Sequence, residues 1–253
     1  MKLIHEFKSP NFNDRKSNNI EIIVIHYTAL SSISNALKYL CSKKNKVSCH
    51  YLISQEGEIY SLVSEKKRAW HAGKSYWRGS TDINSISIGI ELDFSPSDLN
   101  NKFTLNLNSA LIFLLTKLLK KYRISNENIL GHSDIAPYRK IDPGKFFPWQ
   151  MLENKKLSYR PQFLNLSDIK NSLKKEWLNK NKFNSIKKRI LFMLNIIGYD
   201  TSLALKNKIY FDQLINAYSS HYRLYKNYYY NKKKIFDVIE IHFLNIILTK
   251  NKK

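Results

Sequence analysis

The feature that most constrains the fold is a short run of β-branched residues near the amino terminus. Residues 21–26, Glu-Ile-Ile-Val-Ile-His, are nearly continuous in their apolar character. Such a run predicts a strand buried on both faces, as in sheets covered by helices. His26 stands at the carboxyl end of this predicted strand, where a lone histidine usually has a structural role.

Further strands and helices alternate with this strand up to about residue 150. Strands are predicted over residues 47–53, 59–63, 85–92 and 129–130, and Glu56-Gly57 forms the turn between the first two of these. Helices are predicted over residues 33–41, capped by Ser31 or Ser32, and over residues 106–122. The pattern predicts the α/β class, with a central mixed β-sheet flanked by helices.

The predicted strand over residues 85–92 alternates between apolar and other residues. Ile86, Ile88 and Ile90 share one face, so Glu91 lies on the opposite face. The alternation predicts a half-buried strand with a carboxylate on its less apolar side.

The composition changes at about residue 165. Residues 165–253 hold 18 Lys and Arg against 6 Asp and Glu. The spacing of their apolar residues is helical throughout. Three apolar stripes, near residues 186–197, 211–222 and 235–246, predict a small three-helix bundle. Gly198 suits the end of the first helix. The expected domains are therefore residues 1–162 and residues 163–253.

The net charge of +22 raises the question of an anionic partner. Nucleic acid, an anionic membrane surface and an acidic polymer are the three classes to consider. The lysine runs carry little arginine and no Gly-rich RNA signature, which favours a solvated lysine-rich surface. We therefore predict no nucleic-acid partner.

The amino terminus and the cysteines bear on the cellular compartment. The first ten residues contain no apolar stretch of the kind found in secretory signals, which favours a cytoplasmic protein, with a periplasmic or exported one as the alternative. The apolar runs at 110–119 and 241–248 are too short to span a bilayer. Cys41 and Cys49 form no Cys-x-x-Cys pair, so neither a thiolate zinc site nor a redox motif is expected.

A second group of polar residues follows the short strand at 129–130. His132 and Asp142 lie in a segment that contains Pro137 and Pro143-Gly144, which predicts an irregular loop. An imidazole and a carboxylate are suitable zinc ligands, and His26 could supply a third. Two histidines and one carboxylate leave the fourth position open for water, as in hydrolytic zinc sites.

Two further residues complete this candidate site. Glu91 is the candidate base for removing a proton from water. Lys140 could stabilise the oxyanion that develops on an attacked carbonyl. The proposed ligands are more than a hundred residues apart in the sequence, so spacing alone leaves a structural role for each histidine open.

Five motifs in order make the hydrolytic interpretation specific. They are VIHYT at 24–28, SCHYLI at 48–53, RAWHAG at 68–73, NSISIGIE at 84–91, and GHSDIAP followed by RKIDPG within 131–144. Together they resemble the zinc-dependent N-acetylmuramoyl-L-alanine amidases of the amidase-2 family, kin to peptidoglycan recognition proteins. The resemblance covers roughly residues 9–150.

The resemblance implies a role for each matching residue. It implies Zn²⁺ ligands at His26, His132 and Asp142, an acid/base at Glu91 and an oxyanion partner at Lys140. It also implies substrate contacts, at His71, Trp70, Tyr27 and Arg139. The implied reaction cleaves the amide between N-acetylmuramic acid, or its 1,6-anhydro form, and L-alanine in peptidoglycan or muropeptides, during cell-wall recycling or turnover.

The sequence departs from the family pattern in two places. Some relatives carry a tyrosine where this chain has Cys49, so that tyrosine's contribution cannot be carried over. Residues 194–200 and 211–222 faintly resemble the helical peptidoglycan-binding domain often joined to these enzymes, but of that domain's motif near its last helix only Asp237 matches. The alternative to an enzyme is a muropeptide-binding module without catalysis.

Overall fold

The computed structural model describes residues 2–97, 102–161, 176–177, 181, 183–222 and 232–250. The contacts between residues divide the chain into two compact units. The first comprises residues 1–76 and 80–159, and the second comprises residues 77–79 and 160–253. Residue 163, where the sequence predicts the second domain to begin, lies outside the described residues.

A six-stranded mixed sheet forms the centre of the first unit, in the order β1-β5-β4-β7-β3-β8. Its strands are β1 (Leu3–Ile4), β3 (Ile22–Tyr27), β4 (Tyr51–Ile53), β5 (Ile59–Ser61), β7 (Ser87–Leu92) and β8 (Ile129–Gly131). Only β4 and β5 pair antiparallel, and the other neighbours are parallel. A separate antiparallel pair consists of β2 (Phe12–Asp14) and β6 (Lys67–Ala69). The predicted mixed sheet is thus confirmed.

Helices pack against this sheet. The helices of the first unit are α1 (Ile33–Leu40), α2 (Ile83–Ile86), α3 (Leu105–Tyr122), α4 (His132–Ile135) and α5 (Trp149–Asn154). Ser32 caps α1 by accepting from the Asn35 backbone N–H, and Thr104 caps α3 in the same way through Leu107. The two long helices predicted from the sequence are therefore confirmed.

Two apolar clusters hold the sheet in place. In one, leucines of α3 pack against isoleucines of β3 and β7, among them Ile25, Ile88 and Leu111. In the other, α1 packs against Leu52 and Cys49, both of them fully buried. Each buried aliphatic side chain contributes about 1.5–3 kcal/mol to the free energy of unfolding. Cys49 is thus a core residue.

The prediction of a half-buried strand at residues 85–92 is wrong. Strand β7 lies between β4 and β3, and five of its six residues are buried. Ser87 and Gly89 alternate with isoleucines in the sequence, yet their side of the strand is covered as well. Ser85 and Ile86, which were predicted to begin the strand, belong instead to the short helix α2.

Strand β4 is shorter than predicted. It begins at Tyr51, because the backbone N–H of Ser48 donates to the carbonyl of Trp70 and its hydroxyl donates to the carbonyl of Asn11. These bonds direct Ser48 away from the sheet, whereas the backbone of His50 still bonds to Gly89 and Leu62.

The second unit is mainly helical in its described part. Its helices are α6 (Ile186–Ile197), α7 (Ser202–Lys206), α8 (Lys208–His221) and α9 (Lys232–Lys250). Three of them match the predicted stripes, and α7 is a short addition. Helix α6 ends at Gly198, whose φ of +143° suits glycine. No helix in the described ranges is long and apolar enough to cross a membrane.

The same unit includes three residues from far upstream in the sequence. The indole of Trp77 is 2% exposed and lies edge-on to the ring of Tyr199, with ring centroids 5.0 Å apart. The backbone N–H of Arg78 donates to the carbonyl of Gly198 at 2.9 Å. Residues 77–79 therefore belong to the helical unit, and Trp77 is part of its core.

Candidate active site

The candidate site lies at the carboxyl ends of three parallel strands. His26 on β3 is paired in register with Glu91 on β7, so both side chains project from the same face. On the other side of β3, Ile25 is paired with Gly131, the last residue of β8. His132 follows Gly131 directly, so strand pairing alone brings His26, Glu91 and His132 to one edge of the sheet.

A short helix and a return loop bring Asp142 to the same place. His132 begins α4, so the predicted irregular loop is wrong for residues 132–135. The carboxylate of Asp134 accepts from the backbone N–H of Gly131 at 2.7 Å and closes the start of this helix. The chain then returns, and the carbonyl of Asp142 accepts from the N–H of Ser133 at 2.9 Å. This bond holds Asp142 beside His132.

His26, His132 and Asp142 form a compact cluster of potential ligands. The Nδ1 atoms of His26 and His132 are 2.9 Å apart, and Asp142 Oδ2 lies 3.2 Å from the first and 3.0 Å from the second. All three residues are buried. Among the described residues, this is the one group of three or more His, Cys, Asp or Glu side chains that could hold a metal ion.

The charges within the cluster favour a bound cation. Burial and the neighbouring His132 lower the pKa of His26 to about 4, although Asp142 acts in the opposite direction. Burial alone would raise the pKa of Asp142, but His132 and His26 hold it well below its usual range. Neutral imidazoles and an ionised carboxylate are the protonation states that bind metal. The three residues therefore fit a divalent ion such as zinc.

The outer nitrogen of His132 fixes the orientation of its ring. His132 Nε2 lies 3.2 Å from the carbonyl oxygen of Ala72, which can only accept a hydrogen bond. His132 therefore carries its proton on Nε2, and the lone pair of Nδ1 points into the cluster. An outer carbonyl of this kind is a common partner for a metal-binding histidine.

Arg139 braces the loop that supplies this carbonyl. Its guanidinium donates to the carbonyls of Ala72 and Lys74, the latter through Nε at 3.0 Å. A guanidinium nitrogen also lies 3.3 Å from His132 Nε2, but both atoms are donors, so we interpret this as proximity without a bond. The structure gives Arg139 a bracing role, and its predicted contact with substrate stays a prediction.

Glu91 combines burial with an unsatisfied oxygen. Its Oε2 is buried and has no hydrogen-bond partner among the described groups. Burial and the charge of Asp142 raise the pKa of Glu91 to about 8, and the positive charge of Lys140 acts against this rise. Lys140 also lowers the pKa of His26 through its charge. Lys140 is therefore close enough to act electrostatically on both His26 and Glu91.

His71 lies enclosed beside a proposed ligand, and its predicted contact with substrate stays a prediction. Its ring is 5% exposed and lies between His26 and Ser87, with Nδ1 3.0 Å from His26 Nε2. It also packs over Gly89, where a Cβ atom would approach its Cγ to 2.4 Å. The ring thus lies behind a proposed ligand and is shielded from solvent.

The two aromatic residues predicted to contact substrate have different surroundings. Tyr27 lies beside the return loop, because a Cβ on Gly144 would be 3.6 Å from its ring. Burial and the charge of Asp142 raise the pKa of Tyr27 to about 12. The indole of Trp70 donates to Asn13 at 2.7 Å, which ties it to the two-stranded sheet. Both substrate contacts stay predictions.

Sequence reasoning missed Ser87, Gly89 and Ala72 as parts of the site. All three lie inside quoted motifs, so the motifs carried a signal. Their role depends on which strands are neighbours and on backbone carbonyls, and neither is encoded in residue type.

We expect Gly89→Ala to lower the free energy of unfolding by about 1–3 kcal/mol, because the new methyl group would overlap the His71 ring. Urea unfolding followed by circular dichroism measures the change. In a His71→Ala background the same substitution should cost much less, since the ring is gone. Equal costs in both backgrounds would mean that the ring is not the obstacle.

The sequence of this chain is similar to a known protein family and to individual proteins. Residues 16–145 match the Amidase_2 family, described as N-acetylmuramoyl-L-alanine amidase. The chain is 39% identical over 155 residues to the N-acetylmuramoyl-L-alanine amidase AmiD of Escherichia coli K12, covering 53% of this chain and 52% of that protein. The match thus spans about half the length of that relative.

A second relative is matched over most of its length. The 1,6-anhydro-N-acetylmuramyl-L-alanine amidase AmpD of Haemophilus influenzae is 34% identical over 164 residues, covering 57% of this chain and 88% of that protein. AmpD proteins of Enterobacter cloacae and other enterobacteria match over little more than half of their length, 54% in the case of E. cloacae.

Solved structures extend the likeness beyond the sheet. The E. coli AmiD structure, in complex with the substrate anhydro-N-acetylmuramic acid-L-Ala-D-γ-Glu-L-Lys, superposes with a TM-score of 0.71 at 29% identity. The superposition covers 94% of this chain and 93% of that one. AmpDh3 of Pseudomonas aeruginosa, in complex with an anhydromuramic pentapeptide, gives a TM-score of 0.70 at 27% identity and covers 90% and 92%.

Proposed function

Because the chain belongs to the N-acetylmuramoyl-L-alanine amidase family, we propose that it is a zinc amidohydrolase acting on muropeptides. The reaction is hydrolysis of the amide between the lactyl group of N-acetylmuramic acid, or its 1,6-anhydro form, and L-alanine. The observation that carries this proposal is the buried cluster of His26, His132 and Asp142 beside Glu91. Three ligands and a separate carboxylate are what metal-assisted hydrolysis needs.

His26, His132 and Asp142 would hold the zinc through Nδ1, Nδ1 and a carboxylate oxygen. When bound, zinc acts as a Lewis acid toward the amide carbonyl and lowers the pKa of water toward about 7. Two neutral imidazoles and one carboxylate leave a net positive charge at the site, which suits this role.

Glu91 would take the proton from the attacking water. Its unpartnered Oε2 is free of competing donors among the described groups, and its raised pKa makes it a stronger base than an exposed glutamate. The same carboxyl group would then pass the proton to the departing amine of L-alanine. Without that proton the amine is a poor leaving group.

Lys140 would stabilise the negative charge that develops on the carbonyl oxygen. Its charge already acts on Glu91 and His26, which places it within reach of the reacting groups. A fixed cation in a partly buried site is more effective than one in water, because the effective dielectric constant is lower.

The substrate class follows from the relatives. The structures with bound anhydro-N-acetylmuramic acid tripeptide and anhydromuramic pentapeptide match over at least 90% of this chain. We infer that this chain accepts a 1,6-anhydromuropeptide of the same kind, and that soluble muropeptides are sufficient substrates.

Removal of zinc tests this proposal. We expect dialysis against a chelator to abolish cleavage of a synthetic anhydromuramyl tripeptide, and one equivalent of zinc to restore it. Activity is measured by the appearance of the free peptide. Binding of the muropeptide without cleavage in the zinc-loaded chain would favour a binding module instead.

We also propose that the helical unit contributes affinity for polymeric peptidoglycan, on the strength of its faint resemblance to a peptidoglycan-binding domain. A chain ending at Tyr159, with Trp77→Ser because Trp77 belongs to the helical core, should still cleave the soluble muropeptide. Its retention on sacculi should fall in a sedimentation assay. Equal retention by the truncated and wild-type chains would contradict a binding role.

A further inference from the structure

A chain of hydrogen bonds runs from His26 away from the ligand cluster. His26 Nε2 lies 3.0 Å from His71 Nδ1, and His71 Nε2 lies 3.1 Å from the hydroxyl of Ser87. The Ser87 hydroxyl in turn lies 2.6 Å from the carbonyl oxygen of Ile83. His26, His71 and Ser87 are all buried, so water does not compete for these contacts.

The carbonyl of Ile83, at the end of this series of hydrogen bonds, sets the direction of the two bonds nearest to it. The carbonyl of Ile83 can only accept, so the Ser87 hydroxyl donates its single hydrogen there. The oxygen of Ser87 must then accept from His71 Nε2. His71 therefore carries a proton on Nε2.

The same reasoning gives the direction of the hydrogen bond between His71 and His26. The ring of His71 is buried and neither of its partners is a carboxylate, so the neutral form is favoured. A neutral ring with its proton on Nε2 has a lone pair on Nδ1, which accepts from His26 Nε2. His26 then holds its own proton on the outer nitrogen and presents the Nδ1 lone pair to His132 and Asp142.

The position of the His71 ring is itself tightly set. Gly89 lies under the ring, and any side chain there would overlap it. The side-chain oxygen of Asn84 accepts from the backbone N–H groups of His71 and Ala72, at 3.1 and 2.8 Å. This one amide therefore braces the segment that provides both outer partners, the ring of His71 for His26 and the carbonyl of Ala72 for His132.

We propose that His71 is a positioning residue that fixes the tautomer and the ring orientation of His26, with Ser87 and Ile83 as its anchor. The inference rests on the proposed function only for the identity of the metal. A histidine in this place differs from the usual outer partner of a metal ligand, a carboxylate or a carbonyl, because it is neutral and can itself change tautomer. The hydrogen bond from His71 Nε2 to the Ser87 hydroxyl holds His71 in one tautomer.

The affinity of the full chain for zinc tests the proposal without reference to catalysis. Competition with a fluorescent chelator should show about 10–100-fold weaker zinc binding for His71→Leu than for the wild type. His71→Gln should recover most of the loss, because its side-chain carbonyl can accept from His26 Nε2. His242→Gln is the matched control, since His242 is a buried histidine of the helical unit that contacts Tyr218, and its zinc affinity should be unchanged.

Nitrogen chemical shifts test the tautomer directly. Long-range ¹H–¹⁵N spectra of the zinc-loaded chain should show the His26 proton on Nε2 and the His71 proton on Nε2. Ser87→Ala should leave the fold intact, allow the two His71 tautomers to mix, and weaken zinc binding a few-fold. If His71→Leu does not fold, this spectrum and the Ser87→Ala variant decide the question.

Two results would overturn the inference: zinc affinity of His71→Leu equal to that of the wild type, or a His26 proton on Nδ1. A wild-type chain that binds zinc with the expected tautomers but cleaves no muropeptide would contradict the proposed function and leave this inference standing. The two failures are thus distinguishable.

Discussion

Replacing Asp142 with alanine is expected to abolish zinc retention and amidase activity together. Asp142 Oδ2 lies within 3.2 Å of both histidine nitrogens and supplies the only negative charge among the three proposed ligands. Its loss leaves two neutral imidazoles, which are too few to hold zinc against water. His26→Ala and His132→Ala should have the same effect.

Zinc content per chain, measured by elemental analysis, and turnover of a soluble muropeptide report the two losses. Asp82→Ala is the control, because Asp82 is a carboxylate that pairs with Arg68 elsewhere in the same unit. It should keep its zinc. If any one of the three ligand variants holds one zinc per chain at full turnover, the ligand assignment is wrong.

Glu91→Gln is expected to lower turnover by about 10²–10⁴-fold while zinc content stays unchanged. The amide has the size of the carboxylate and keeps a hydrogen-bonding oxygen, but it cannot take up the proton from water. Substrate binding should survive, so the variant should trap a bound muropeptide. Glu65→Gln is the control, since the Glu65 carboxylate binds Tyr51, Tyr122 and Lys121 within the same unit.

The pH dependence of kcat/KM gives a second measure of Glu91. As a base, Glu91 must be ionised, so the rate should fall as the pH drops through its pKa. Its midpoint should lie below about 8, because a bound cation lowers this pKa in the same direction as Lys140 does. If Glu91 only braced a ligand, Glu91→Gln would lose zinc and recover with added metal. A zinc-replete and fully active variant would exclude both roles.

Five strands of the first unit (β3, β4, β5, β7 and β8) and the helices α1 and α3 were predictable because each has a local signal, whereas the short strands β1, β2 and β6 were not predicted. The β-branched run of β3 and the leucine stripe of α3 depend only on neighbours in the sequence. The order of the strands was not predictable, since it is decided by contacts between distant segments. The burial of Ser87 and Gly89 on β7 follows from that order, because β7 lies between two neighbours.

Residue type suggested the proposed metal ligands, but it did not suggest the groups that contact and orient them. Histidine and carboxylate side chains have recognisable chemistry, so His26, His132 and Asp142 stood out in the sequence. The carbonyl of Ala72 and the ring of His71 act through position, and position is set by the loop that Asn84 and Arg139 hold. Residue type gave no indication that the His71 ring would be enclosed.

In the helical unit, too, local sequence patterns predicted the end of a helix but not a contact between distant residues. Gly198 at the end of α6 was predictable from its place after an apolar stripe. The burial of Trp77 beside Tyr199 was not, because more than a hundred residues separate the two in the sequence. An aromatic residue in a loop carries no local sign of whether it contacts ligand or core.

Identification of the bond that is cleaved tests the central claim most directly. The zinc-loaded chain is incubated with a defined anhydromuramyl tripeptide in H₂¹⁸O, and the products are analysed by mass spectrometry. We predict two products, a free peptide that begins with L-alanine and an anhydromuramic acid that carries one ¹⁸O in its lactyl carboxylate. Cleavage within the peptide, or an intact substrate after prolonged incubation with the zinc-loaded chain, would contradict the assignment.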